Sequence, residues 1–474
     1  MNTCDSGLWK MSIEPGKPFG ESAKPSSSVG TKNKVTHMKS RIGVGIVGFG
    51  TVGTGVAKVL LNNAPLISRR IGVPIELLRI ADVDVTKDRG VALAPGVLTT
   101  EVNRVLADPN IDIVVELIGG YDTAKRVILD AIAAGKHVVT ANKALLALHG
   151  EEIFEATTRK GVELGFEASV GGGIPVIRAL TEGLAGNTIE SIYGIINGTS
   201  NYILSRMTLE GHGFQEVLRD AQQAGYAEAD PTFDVAGIDS AHKLAVLVSL
   251  AYGTPINFKD IYTEGITNIT PTDIAYAKQF GYTIKSLGIA KLIDGEIEAR
   301  VHPTMLPATS PIAQVEDVYN AIQLVGDAVG DVVLYGRGAG SMPTGSAVVS
   351  DVIAIGRNLL KGVVGRVPVA SFQQNQRRPL RLRSMEEISS LYYLRFTVVD
   401  RPGVLAQIAG ELGRCGISIS SMMQQGRREG QTVPVVIKTH TAKERDVQTA
   451  LREINRKAFV SEPTTLIRVE GKDE

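Results

Sequence analysis

Between Ala221 and Lys243 the chain reads AQQAGYAEADPTFDVAGIDSAHK, and Glu228, Asp230, Asp234, Asp239 and Lys243 crowd into sixteen residues of it. An apolar run, LAVLVSLAY, follows directly. A run that is apolar on every face predicts a buried helix. Asp239 and Lys243 are four residues apart, so on that helix they share a face and carboxylate and amine converge. A lysine at the mouth of a buried helix is partly desolvated, which favours its neutral form and suits it to proton transfer. The plainer alternative is a capped core helix behind a solvated acidic loop, with a structural ion pair.

The elements that must position these groups begin with a glycine turn. Gly48-Phe49-Gly50-Thr51-Val52-Gly53 follows the β-branched run RIGVGIV and opens a helix that extends to about Leu61. In that setting Gly48 allows the tight turn, Gly50 lets the backbone approach a pyrophosphate, and Gly53 permits close helix–strand packing. The helix N-terminus favours the phosphate charge. Phe49, Thr51 and Val52 would line a dinucleotide through their backbone. A second apolar run ends near Asp82, a third, IDIVVELIGG, at Gly119 and Gly120, and a fourth, KHVVTANK, at Lys143. Strands alternating with helices argue for a parallel, doubly wound α/β sheet of the Rossmann type. Gly119, Gly120 and Lys143 then sit at its carboxyl edge, where such sheets bind ligands. Asp82 can take a ribose hydroxyl of NAD, while Arg79 and Lys87 are near enough in sequence to receive the 2′-phosphate of NADP. The choice between NAD and NADP stays open.

The chain has 474 residues, which predicts about three domains. Lys plus Arg and Asp plus Glu each number 50, so no bulk positive charge drives nucleic-acid binding. No apolar run reaches the length of a membrane span. Two cysteines, Cys4 and Cys415, lie too far apart in sequence to suggest a disulfide framework or a structural zinc site, which suits a cytoplasmic protein. Residues 1–40, rich in Ser, Gly, Pro and Lys, are expected to be a disordered tail, with Met38 an alternative start of translation. Residues 41–166 form the dinucleotide-binding domain and 167–335 a mixed α+β domain. Residues 366–389 are a basic linker whose charges are expected to be solvated. Residues 390–474 form a separate domain that reads strand, helix, strand, strand, helix, strand.

The spacing of Ala221, Gly225, Tyr226, Asp230, Pro231, Asp234, Gly237, Asp239 and Lys243 resembles the signature of homoserine dehydrogenases, and the resemblance covers nearly the whole chain from about residue 41. It implies reversible, NAD- or NADP-dependent reduction of L-aspartate 4-semialdehyde to L-homoserine. It also implies that residues 336–365 return to the cofactor domain, with Gly338 and Gly340 near the cofactor. Thr140-Ala141-Asn142-Lys143 resembles the family's Asn-Lys position beside nicotinamide and substrate. Lys243 would then donate the proton and Lys143 would polarise the aldehyde oxygen. Glu228 and Asp239 are candidates to hold the substrate α-ammonium, with Asp234 orienting a lysine or the substrate. Asp230 shapes the loop, and His242 is read as packing.

The segment Glu167 to Ile174, EASVGGGI, resembles the family's sodium site. By position the ligands of this structural Na+ are Glu167, Val170, Gly172 and Ile174, mainly through backbone carbonyls, which suit a hard cation. The C-terminal region resembles the ACT domain, a ferredoxin-like regulatory fold that binds amino acids, most closely in VDRPGVL, Val399 to Leu405. Asp400, Arg401, Pro402 and Gly403 are its candidate effector-binding residues, and threonine is the expected effector. Cutting the chain at about residue 390 is expected to abolish inhibition and spare catalysis. A homodimer or homotetramer is expected, with the substrate domain in the dimer contact. Three rivals are weighed. An acyl-phosphate-forming dehydrogenase needs a cysteine nucleophile that Cys4 and Cys415 are not placed to supply. Another NAD-linked oxidoreductase on an amino-acid-like substrate differs only in assay. A non-catalytic amino-acid sensor would have no use for Lys143, Asp239 and Lys243.

Overall fold

A computed structural model describes residues 39–424 and 431–471. The expected tail, with Cys4 and Met38, lies outside the described residues save for Lys39 and Ser40. The first sheet holds β1 (Ile42–Val47), β2 (Ile75–Ala81), β3 (Leu98–Thr99), β4 (Ile113–Glu116), β5 (His137–Thr140) and β6 (Leu164–Gly165). Their order is β3-β2-β1-β4-β5-β6 and all pairings are parallel. Every residue of β1 is buried, as a β-branched strand covered on both faces must be. Helices α1 (Thr51–Asn62), α2 (Asp122–Ala133) and α3 (Lys143–Lys160) follow β1, β4 and β5. The strand order reverses between β1 and β4, and that crevice is where such sheets take their ligand.

The second region is a mixed sheet of β7 (Ile189–Ile195), β8 (Tyr262–Thr263), β9 (Tyr282–Ile293), β10 (Glu296–Pro307), β11 (Tyr319–Gly326) and β12 (Gly330–Arg337). Helices α4 (Gly198–Glu210), α5 (Ile238–Tyr252) and α6 (Pro271–Gln279) belong to it. α5 is the all-apolar helix, buried along nearly its whole length in the largest core of the region. The chain then returns as α7 (Ser341–Leu360), which packs on α1 within the cofactor-domain core. The two helices touch at glycine: a Cβ on Gly55 would stand 2.0 Å from the Ser341 carbonyl oxygen.

The C-terminal region holds β13 (Ser389–Val399), α8 (Val404–Arg414), β14 (Ile419–Gln424), β15 (Thr432–Thr439), β16 (Ala442–Lys443), α9 (Glu444–Asn455) and β17 (Val460–Val469). Apart from the two-residue β16, this is the expected βαββαβ order, with sheet order β17-β13-β15-β14. Its sheet does not stand alone. β17 pairs in parallel with β10, Thr304 opposite Arg468 and Met305 opposite Val469, so one sheet runs from β12 to β14. Leu391, Tyr393, Ile467 and Val469 share a core with Tyr202, Ile203, Ile284 and Met305. The C-terminal domain and the substrate domain thus share one continuous sheet.

The linker differs from expectation too. Arg377 makes two 2.7 Å bonds to Glu151, and Arg383 donates to Glu296 at 2.8 Å. Leu382 bridges to Ile297. The basic run is therefore pinned across both other regions instead of being solvated throughout. No described helix is long and apolar enough to cross a membrane.

Candidate active site

The Lys243 side chain is built where the sequence places it, in the first turns of α5. Gly237 caps that helix with φ 84°, and a Cβ there would meet Thr263 and Val301 at 3.1 Å. Only glycine takes this turn without strain and still lets the helix end settle on β8 and β10. Lys243 Nζ donates to Asp239 Oδ2 at 2.7 Å and to the Ile196 carbonyl at 2.6 Å. An ammonium has three N–H donors, so one remains for a ligand. Lys143, at the start of α3 in the cofactor domain, reaches across with its Nζ 3.3 Å from Asp239 Oδ1. One buried carboxylate thus holds two lysines, one from each side of the domain junction. Burial alone would raise the Asp239 pKa, but the charges of Lys243 and Lys143 and the hydrogen bonds from Lys243 and Asn197 bring it down to about 2.

Asn197 completes the cluster, and no sequence spacing pointed to it. Its side-chain amide donates to Asp239 Oδ2 at 2.8 Å and to Asp234 Oδ1 at 2.7 Å. Its carbonyl oxygen accepts the Ser200 N–H, capping α4. The one signal for it is Asn followed by Gly-Thr-Ser, a helix-cap pattern. Glu228 is not brought into this cluster: its side chain is exposed on the loop and only its backbone carbonyl is held, by Gln222. Asp230 accepts the Thr232 N–H in a local turn. His242 is buried between the rings of Phe233 and Phe258, and neither ring nitrogen has a partner.

The glycine turn has the shape a pyrophosphate needs. A Cβ on Gly53 would stand 2.1 Å from the Gly48 carbonyl oxygen, whereas one on Gly50 would meet nothing within 4 Å. The space beside Gly50, at the first turn of α1, is open, which fits a dinucleotide. Gly340, with φ 124°, precedes Ser341, whose hydroxyl donates to the Thr51 carbonyl at 2.7 Å, so the returning loop borders the same turn. Asp82 accepts the Phe49 N–H at 2.5 Å and faces Arg89 at 3.2 Å. Arg89 also lies over the Phe49 ring, 5.1 Å from its centroid. Arg79 turns toward Asp108 and Lys87 is exposed, so the cation beside Asp82 is Arg89. Sequence proximity missed it because it returns from a loop beyond Asp82.

At the carboxyl edge of the sheet, Gly119 and Gly120 both take left-handed backbone. Asn142 caps α3 and donates to the Gly120 carbonyl at 2.8 Å, tying the two strand ends together beside Lys143. Beneath them Glu116, fully buried, accepts from the Thr140 hydroxyl at 2.7 Å and the Ile118 N–H at 2.8 Å. Burial raises its pKa.

Glu167 opens a short 3₁₀ turn, and its carboxylate accepts the N–H groups of Ile177 and Arg178 at 2.8 and 3.0 Å. Burial and the neighbouring Asp351 raise it to about 7. Gly171 and Gly172 are left-handed, Val170 is buried, and the Ile174 carbonyl accepts the Val176 N–H at 2.8 Å. Among the described residues no group of three His, Cys, Asp or Glu converges on a metal position. In the C-terminal region Asp400, Arg401, Pro402 and Gly403 form the turn between β13 and α8, Gly403 capping the helix with φ 86°.

Comparison with known proteins agrees with this geometry. Residues 175–353 match the homoserine dehydrogenase family, 48–167 the NAD-binding domain of homoserine dehydrogenase, and 392–459 the ACT domain. The homoserine dehydrogenase of Pseudomonas aeruginosa is 47% identical over 428 residues, spanning 90% of this chain and 98% of that protein. That of Neisseria gonorrhoeae is 45% identical over 430 residues, 91% of this chain and 99% of the relative. The crystal structure of a homoserine dehydrogenase from Thiobacillus denitrificans superposes with a TM-score of 0.86 at 48% identity, covering 91% of this chain and 98% of its own. Two domains meeting at Asp239, an open glycine turn and relatives matched end to end lead to one conclusion: the chain belongs to the homoserine dehydrogenase family.

Proposed function

We propose that this chain interconverts L-aspartate 4-semialdehyde and L-homoserine. The observation that carries the reading is the pair of lysines on one buried carboxylate, Lys243 at 2.7 Å and Lys143 at 3.3 Å from Asp239, at the edge of a dinucleotide fold. A reduced nicotinamide dinucleotide, its pyrophosphate held at Gly48 to Gly53, would supply the hydride to the aldehyde carbon when bound. Lys243 gives its free N–H proton to the aldehyde oxygen as that oxygen becomes a hydroxyl, and takes it back in the reverse direction. Lys143 faces the same oxygen and holds its developing negative charge. Asp239 keeps both ammonium groups in place. Asp234, fixed by Asn197, offers its other oxygen to the substrate ammonium.

The experiment is turnover of homoserine with NAD or NADP, followed by reduced-nicotinamide absorbance, in the wild type and Lys243→Ala. Turnover that collapses in the variant supports the proton role. Turnover that survives moves the donor to Lys143. None in a folded, cofactor-bound wild type favours another substrate.

Three finer readings accompany this one. A sodium ion on the backbone carbonyls of Glu167, Val170, Gly172 and Ile174 would brace the turn between the domains. The acyclic amino acid threonine would bind at Asp400 to Gly403 and inhibit. The assembly would be a homodimer or homotetramer.

A further inference from the structure

The substrate loop is held from behind by a short strap. Tyr262 and Thr263 pair with Arg300 and Val301 of β10, and the Glu264 N–H continues the pairing to the Val301 carbonyl at 2.8 Å. The next two residues press on the loop. The Ile266 N–H donates to the Val235 carbonyl at 2.9 Å, and a Cβ on Gly265 would stand 2.4 Å from that same oxygen. Val235 directly follows Asp234, and the Ser200 hydroxyl donates to the Asp234 carbonyl at 3.1 Å. The strap therefore sets the height of the backbone that carries Asp234 and starts α5.

The side chain in the middle of the strap is tied to the other end of the molecule. Glu264 Oε2 accepts from Arg468 Nη1 at 2.7 Å and from the Tyr262 hydroxyl at 2.9 Å. Arg468 belongs to β17 of the C-terminal region and is only 2% exposed. Its position is fixed from its own region as well as by the strap. Glu444 on α9 accepts from it at 2.6 and 3.0 Å, and the Tyr262 ring lies 5.0 Å beneath its guanidinium. Arg468 is a fixed post and Glu264 the tether attached to it.

We propose that Glu264 is a positioning residue for the substrate loop, held in register by Arg468 of the C-terminal region. The inference rests on the reading of the Asp234–Asp239 loop as the substrate site. A planar guanidinium that bonds two carboxylates transmits direction as well as charge, so a displacement of β17 moves Glu264 and with it Val235. The pair touches neither the cofactor turn nor the lysines. Its loss should weaken homoserine binding selectively.

The test is steady-state kinetics of the full chain carrying Glu264→Gln, Arg468→Lys, both together, or Gly265→Ala. Glu264→Gln keeps the shape of a partly exposed side chain and is expected to fold. Its KM for homoserine should rise about five- to tenfold, as for loss of one charge-assisted hydrogen bond, while the KM for the nicotinamide and the melting temperature stay near wild type. Arg468→Lys, which also loses the two-point hold on Glu444, should raise the homoserine KM as much while lowering the melting temperature, and the double variant should raise that KM little more than either single one, as for two partners in one interaction. Gly265→Ala, which pushes on the loop without touching the ion pair, should raise the homoserine KM further. An unchanged homoserine KM in Glu264→Gln beside a raised one in Gly265→Ala overturns the proposal and leaves the site reading intact. A Glu264→Gln whose kinetic constants all fall along with its melting temperature overturns it too, as a merely structural pair. A homoserine KM that ignores even Gly265→Ala removes the loop from the substrate site and defeats both readings.

Discussion

Two buried charge clusters lie on opposite sides of the substrate domain, and they are built differently. At the domain junction, Asp239 holds Lys243 and Lys143, with Asn197 and Asp234 beside it. Behind the sheet, Arg300 bridges Glu298 and Glu470 at 2.8 and 2.7 Å, Lys291 joins Glu470 at 2.7 Å, and Arg468 joins Glu444 and Glu264. In the second cluster nearly every charged oxygen and donor faces another inside the protein, and burial of Arg300 reaches 1% exposure. In the first, Lys143 keeps a third of its side chain exposed and Lys243 keeps an N–H unspent. Burial and ion pairing are common to both. A partly exposed lysine and an unspent ammonium N–H distinguish the cluster that can do chemistry from the one that holds two sheets together.

Substitutions at the two centres should therefore fail in different ways. Lys243→Ala removes the proton donor and should lower kcat by about two to four orders of magnitude, with cooperative unfolding preserved. Stopped-flow or steady-state turnover beside a thermal melt reads both. Arg300→Met leaves Glu298 buried with only the 3.7 Å contact of Arg383, and Glu470 with Lys291 and the Tyr193 hydroxyl. It should cost about 3–5 kcal/mol of stability, read by urea unfolding, while the homoserine kcat of the folded fraction stays near wild type. A Lys243→Ala chain that unfolds but turns over, or an Arg300→Met chain that folds but does not, would erase the distinction. The same cluster changes the expectation for truncation. Removing residues from about 390 onward strips β10 of a partner strand and takes Glu470 and Arg468 from Arg300, Lys291 and Glu264, so catalysis should not be spared.

The parallel sheet was readable because its strands are continuous β-branched runs and its turns are glycine, and neither depends on anything far away. The Asp239–Lys243 pair was readable for a similar reason: four residues on one helix bring the groups together whatever surrounds them. Asn197 was not, since a helix-cap asparagine serves local structure in most proteins and its second task exists only once α4 and α5 are packed. Arg89 was hidden because its distance from Asp82 is set by the return path of a loop. The joining of β17 to β10 was hidden more deeply. A strand with one free edge looks the same in sequence whether that edge meets solvent or another sheet, and the basic run from Arg377 to Arg383 gave no sign of its carboxylate partners.

The pH dependence of stability sharpens the comparison at lower cost to the molecule. Asp239 is brought down from an ordinary carboxyl value of 3.8 to about 2 against its burial, by Lys243 and Lys143. A depressed folded-state pKa gives stability that is fully present above the unfolded value and is lost as pH falls toward the folded one. The window is thus about pH 4 down to about 2, and the contribution about 2 kcal/mol. Urea midpoints measured through that window should fall less steeply in Asp239→Asn than in the wild type, after allowing for its lower stability near neutrality. Equal slopes would mean that the lysines do not hold the carboxylate as the 2.7 and 3.3 Å contacts require.

The smallest effect expected concerns the cofactor, where Arg89 stands between the two regimes. It pairs with Asp82 at 3.2 Å, both side chains largely buried, and lies on the Phe49 ring, so part of its work is to brace the glycine turn. It is also the cation nearest the position where Asp82 would meet an adenosine ribose. A 2′-phosphate offers a guanidinium a stronger partner than one shared carboxylate oxygen. Arg89→Ala should therefore lower kcat/KM with NADP about tenfold and with NAD by less than about twofold, the difference of one charge-assisted contact. Equal losses with both cofactors would assign Arg89 to the turn alone, a structural pair at the rim of a catalytic crevice. A loss confined to NAD would place the ribose on Asp82 and make the arginine its orienting partner.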